Sequence, residues 1–213
     1  MNRRREKREE TAPPFRSDDG RWQELLDTAA RIFARKGYKS ATLQDIADEF
    51  GVLKGSLYHY IRSKDDLLYE VIRAVLDVGL AKLREQAAVD LDPVERLRAI
   101  VHAHVLHLID NLIGTTVLLH EFTQLSPERQ AATPIRDYQI VLEQQVAAAR
   151  DDPRVRPDVD PQLSALAILG ATNWVYRWYR PDGTRSPHQI ADYFAATLVD
   201  GLLAPRDAGT LPD

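Results

Sequence analysis

The chain of 213 residues has no cysteine. Disulfides and thiolate zinc sites are therefore excluded, and the composition suits a reducing cytoplasm. Long hydrophobic runs are also missing. The longest uncharged apolar stretch, Leu163 to Tyr176, is 14 residues and includes Asn173, whereas a bilayer-spanning helix takes about 20. The opening MNRRREKREE has the charge of a signal peptide's start, but no apolar region follows it. No membrane association is expected. There is no G-x-S-x-G, phosphate loop or dinucleotide glycine fingerprint. Gly55-Ser56-Leu57 lacks every companion of a nucleophile elbow, so neither an enzyme nor a cofactor is expected.

Charge is present but unevenly placed. The net charge of −4 would argue against a nucleic-acid partner. Residues 1–64, however, carry 14 Lys and Arg against 10 Asp and Glu, while residues 65–213 carry 14 against 22. A basic N-terminal third on an acidic remainder is the pattern of a DNA-binding head joined to a body that does not touch DNA.

Helical periodicity runs through nearly the whole chain, and no segment reads as a strand. Trp22, Leu25, Leu26, Ala29, Ile32 and Phe33 form an apolar stripe closed by Gly37. Thr42 with Asp45 reads as a capping box opening a helix that ends at Gly51. A second short helix is expected from about Leu53 to Ile61. A long one follows from Lys64 to about Gln86, with a length suited to a strut between head and body. Asp92-Pro93, Ser126-Pro127, Thr133-Pro134, Asp160-Pro161 and Ser186-Pro187 each read as a helix start. Another helix is expected from about Thr115 to Leu125, and the one from Pro161 should run to about Arg180. The fold class is all-α, with about nine or ten helices. The division is a charged arm over 1–16, a helix-turn-helix unit over 17–63, a helical body over 64–205 and a tail over 206–213. Within the arm, Arg3, Arg4, Arg5, Lys7 and Arg8 suit phosphate or minor-groove contact, or simply keep the chain soluble.

Helix, tight glycine turn and helix make a DNA reader when the second helix presents donors outward. At about 100° per residue, Leu53, Leu57, Tyr60 and Ile61 fall on one side, which should pack inward. Lys54, Gly55, Tyr58, His59 and Arg62 fall on the other. Glycine there lets the backbone come close to a phosphate or base edge.

The segments AARIFARKGYKSATLQDIADEFGV and KGSLYHYIRSKDDLL resemble the N-terminal domain of the TetR/AcrR family of transcriptional regulators. Two positions depart from the family pattern. Leu53 stands where the family often has a capping Ser, and Ile61 where Phe is usual. The resemblance implies a homodimer that binds a palindromic double-stranded DNA operator and pairs through the last two helices. It also implies a repressor released when a small-molecule effector in the C-terminal body changes the separation of the heads. Carried onto this chain, it places Lys54, Gly55, Ser56, Tyr58 and His59 on the recognition helix. Thr42 and Lys64 fall where the family meets phosphate at helix N-termini.

The stretch NWVYRWYRPDG, Asn173 to Gly183, resembles family members that sense an acyl-CoA thioester from fatty-acid, steroid or aromatic-acid catabolism. Asn173, Trp174, Arg177 and Trp178, with His120 from an earlier helix, are the ligand-site candidates. The aromatics suit an apolar cleft, or equally an interface between subunits. A hydrophobic drug-like effector without CoA, or an architectural DNA binder with no effector, would fit the same head. His102, His104, His107 and His120 invite a metal reading, but no carboxylate stands at ligand spacing and no metal is expected.

Overall fold

The computed structural model describes residues 19–205, so the expected basic arm over 1–16 and the tail over 206–213 lie outside the described residues. Eleven α-helices and one 3-10 turn are found there, and no strand beyond an isolated bridge between Val155 and Leu203. The chain divides into two compact units between Val71 and Ile72. That point lies inside a helix, α4 (Lys64–Ala87), rather than at its start.

The first unit is built on α1 (Asp19–Lys36), α2 (Leu43–Phe50), α3 (Lys54–Leu57) and the start of α4. Both turns depend on glycine in the left-handed region, Gly37 at φ 76° and Gly51 at φ 77°, where a side chain would be strained. The Thr42 hydroxyl accepts from Asp45 N–H at 3.1 Å, and Thr42 N–H donates to the Asp45 carboxylate at 2.9 Å. This reciprocal cap starts α2 as expected. Leu25, Phe33, Ile46, Leu57 and Leu67 are fully buried. Burial of each such side chain contributes about 1.5–3 kcal/mol.

Two expectations in this unit need correction. Leu53 does not pack inward: it is 82% exposed at the N-cap of α3. The second reading-head helix is also shorter than Leu53–Ile61. Leu53 offers no side-chain acceptor, and Gly55 has low helix propensity. Residues 58–61 continue as tighter turns, with His59 N–H to Ser56 and Tyr60 N–H to Leu57.

The second unit centres on α5 (Pro93–Asp110), which packs most extensively on α11 (Pro187–Asp200) and also meets α8 (Ile135–Arg150) and α9 (Pro161–Asn173). Asp92 caps α5 through Val94 and Glu95 N–H, and Ser186 with Gln189 forms a capping box on α11. The remaining elements are α6 (Leu112–Glu121), the 3-10 turn Phe122–Gln124, α7 (Pro127–Ala132) and α10 (Val175–Trp178). The expected single helix from Pro161 to about Arg180 breaks at Trp174, and Tyr179 is already extended two residues before Pro181. That break returns Val175 and Tyr179 to a buried cluster with Val105, Ile109 and Ile190.

Candidate functional site

In the first unit the outward face forms as expected. Lys54, Gly55, Tyr58, His59 and Arg62 are exposed, Tyr58 by 53%, while Leu57 and Ile61 anchor the same turn in the core. A Cβ built on Gly55 meets nothing within 4 Å. The space in front of this backbone is open, as close approach to a nucleic acid requires. Ser56 is half-buried at the margin. Tyr60 turns back to meet Phe50 edge-on, with ring centroids 6.3 Å apart.

Thr42 and Lys64 lie elsewhere in the unit. The Thr42 hydroxyl accepts from Asp45 N–H and donates to the Asp45 carboxylate at 2.9 Å. Lys36 closes on the same carboxylate at 2.7 Å. These contacts hold the Asp45 carboxyl well below the usual range, to about 2, with the Lys36 bond foremost. The Lys64 ammonium donates to the carbonyls of Tyr38 and Ala41, each at 2.7 Å, and of Lys39 at 3.4 Å. It also lies 4.4 Å above the Tyr38 ring. Its three donors therefore tie the turn between α1 and α2 to the start of α4.

In the second unit a cavity of about 480 Å³ opens among α4 beyond Ile72, α5, α6, the 3-10 turn, α8 and α9. Its size is that of a small-molecule site, for which roughly 300–1,000 Å³ is usual. Leu76, Leu108, Leu118, Leu119, Leu166 and Leu169 form its apolar wall together with Val75, Phe122 and Ile135. Among the described residues no Asp, Glu, Lys or Arg lines it. Its polar groups are His104, His107, Thr123, Tyr138, Gln139 and Asn173.

Two histidines on successive turns of α5 are built into this wall. His104 is buried, shares a hydrogen bond of 2.6 Å with the Tyr138 hydroxyl through Nδ1, and one of 2.9 Å with Thr172 Oγ1 through Nε2. Burial, reinforced by neighbouring His107, lowers its pKa to about 3, so the ring is neutral. Burial likewise raises the Tyr138 phenol above its ordinary value. His107 Nε2–H donates to Val75 C=O on α4 at 3.1 Å, and Asn111 donates to its Nδ1 at 3.1 Å. A Cβ on Gly79 of α4 would fall 2.7 Å from His107 and 2.9 Å from Tyr138. Only glycine allows α4 to pass this close.

Of the ligand-site candidates, the structure brings Asn173 to the cavity. Trp174, Arg177 and Trp178 follow it in sequence but stay exposed outside the lining, with Trp174 at 59% and Trp178 at 42%. Trp178 stacks on Phe194, and His120 bonds the Tyr176 hydroxyl at 2.8 Å. His104 and Tyr138 were missed as site residues. The legible signal was a pair of histidines sharing one face of an otherwise apolar helix.

Residues 25–71 match the family described as bacterial regulatory proteins, tetR family, and residues 90–202 match the tetracyclin repressor-like C-terminal domain. The HTH-type transcriptional repressor KstR2 of Rhodococcus jostii (strain RHA1) is 36% identical over 92% of this chain and all of its own length. Among solved structures, AibR in complex with isovaleryl coenzyme A and operator DNA is 31% identical, with a TM-score of 0.77 over 84% of this chain and 98% of that one. The ketosteroid transcriptional regulator KstR2 of Mycobacterium tuberculosis is 30% identical, with a TM-score of 0.78 over 91% and 98%. With its head and body matched in the same order, and a relative matched along its whole length, the chain belongs to the TetR family of bacterial regulatory proteins.

Proposed function

We propose that this protein is a transcriptional repressor that binds operator DNA as a homodimer and releases it when the acyl group of a CoA thioester enters the cavity of the second unit. The observation that carries the reading is a built but uncharged cavity in the second unit of a chain whose first unit presents an outward donor face. CoA is a polyanion, and a wall with no cation cannot hold its phosphates, so only the acyl end suits the interior. Exposed Trp174, Arg177 and Trp178, just after Asn173, offer aromatic surface and a cation for the part left outside. The likeness to AibR, whose structure holds isovaleryl coenzyme A and operator DNA, supports the thioester class. A ligand-independent DNA binder has no need of a cavity of this size.

On the DNA side, Lys54 and His59 are the candidates for base edges, Lys54 toward guanine, and Tyr58 for phosphate. Leu163 and Leu166 on α9 and Tyr193 on α11 are exposed apolar side chains that support pairing of two copies through these helices. No helix among the described residues is long and apolar enough to cross a membrane. The reading is of a cytoplasmic regulator with no catalytic activity of its own. Footprinting on the chain's own promoter, with and without a panel of fatty-acyl, steroid-derived and aromatic CoA thioesters, tests it. A protected palindrome that one class of thioester uncovers is expected. Protection that every thioester leaves intact would dispose of the effector class.

A further inference from the structure

Two polar groups of the cavity wall, Tyr138 and His104, are joined to Thr172 behind the lining in a chain of hydrogen bonds, and the carbonyl of Ile168 favours one proton order along it. The Thr172 hydroxyl donates to the carbonyl of Ile168 at 2.7 Å, so its oxygen accepts from His104 Nε2–H. His104 Nδ1 then accepts the only proton of Tyr138. The phenol oxygen therefore offers lone pairs alone, in a wall whose other polar side chains are His107, Thr123, Gln139 and Asn173. A ligand hydroxyl can donate to it directly. A ligand carbonyl is met by reversing the chain: Thr172 donates to His104, His104 to Tyr138, and Tyr138 to the ligand. Reversal moves no net charge, because each group gains one proton and gives one up. It loses the bond to Ile168, whose carbonyl keeps its place in the helix ladder. A carboxylate finds no counter-charge here and is excluded by desolvation.

Resting on the cavity being the effector site, we propose that Tyr138, backed by His104 and Thr172, reads one uncharged oxygen on the acyl group, a hydroxyl or a carbonyl, and so selects oxygenated acyl thioesters over plain alkyl ones. A site built to hydrogen-bond an oxygen rejects the analogue lacking it, because a buried partner is then left unpaired. The hydroxyl is favoured over the carbonyl by about fivefold, the cost of one neutral hydrogen bond.

Calorimetric titration of the full-length protein with cyclohexylpropanoyl-CoA, its ring-hydroxylated form and its ring-oxo form tests this. The oxo form should bind about tenfold tighter than the plain thioester, and the hydroxylated form about fivefold tighter again. Tyr138→Phe should bring all three within about twofold of each other while operator binding persists. Thr172→Val takes the acceptor from His104 Nε2–H, which favours the other tautomer and makes Tyr138 a donor, so the oxo form should overtake the hydroxyl form. Equal binding of all three to the natural protein, or a preference that survives Tyr138→Phe, overturns the assignment and leaves the thioester reading standing. Failure of all three to bind overturns the assignment, and the thioester reading falls with it when no thioester of the footprinting panel uncovers the operator.

Discussion

Gly55→Ala should make the head more stable and a worse DNA binder. An added Cβ meets nothing within 4 Å, so the substitution introduces no clash in the free protein. Glycine in a helix interior is about 0.8–1.0 kcal/mol worse than alanine. In a helix as short as Lys54–Leu57, roughly half of that or more should appear as added stability. In a protein of this size it raises Tm by about 1–3 °C. On DNA the same methyl occupies the space through which the backbone approaches, and displaces a contact worth about 1–3 kcal/mol. Operator affinity should then fall roughly 10–100-fold. Thermal denaturation and fluorescence anisotropy on a labelled operator read the two quantities separately. A stabilised variant that binds operator as well as the natural protein would refute the placement of Gly55 at the DNA surface.

Other substitutions separate the remaining roles. Tyr58→Phe should weaken specific and random DNA alike, whereas Lys54→Ala should lower discrimination at one base position; equal losses on both DNAs for Lys54→Ala would remove it from base reading. Lys64→Met should destabilise the head by about 1.5–3 kcal/mol through loss of its bonds to the turn carbonyls. Its denaturation midpoint should drop even without DNA, which loss of a phosphate contact alone would not cause. Gly79→Ala should lower stability by about 1–3 kcal/mol despite alanine's better helix propensity, because the His107 and Tyr138 rings it meets are held by hydrogen bonds; an unchanged or raised Tm would contradict the packing. Between pH 6.5 and about 3 the unfolded chain binds a proton at His104 that the folded protein refuses. Stability should therefore fall as pH falls through that window, by up to about 1.4 kcal/mol per unit, and His104→Gln should flatten the slope in urea titrations.

The head was legible because its signals are local. The Thr42–Asp45 cap, the turns at Gly37 and Gly51, and the outward set Lys54, Tyr58 and His59 lie within a few residues of one another. Leu53 misled because periodicity treats every leucine as core, whereas an N-cap residue sits outside the helix whose face it is assigned to. The structural part played by Lys64 was not legible, because the carbonyls that hold it belong to residues 38–41, far back along the chain. In the body, proline and capping residues marked most helix starts, but the break at Trp174 follows from packing rather than from a local signal. The cavity was least legible. Its His104 is joined to Tyr138 and Thr172 from two other helices, and no spacing rule links positions on separate helices. The conspicuous aromatics after Asn173 drew attention outside the lining, while the two histidines of α5 carried the information.

The account stands on coupling between the cavity and the donor face. The most direct measurement is the operator Kd of the full-length protein with no thioester and with a saturating acyl-CoA thioester whose binding calorimetry has established. The account predicts that operator binding weakens at least about fivefold, as effector coupling of the usual size requires. The thioester's own affinity should fall by the same factor when operator is bound. An unchanged operator Kd with the thioester demonstrably in place would contradict it.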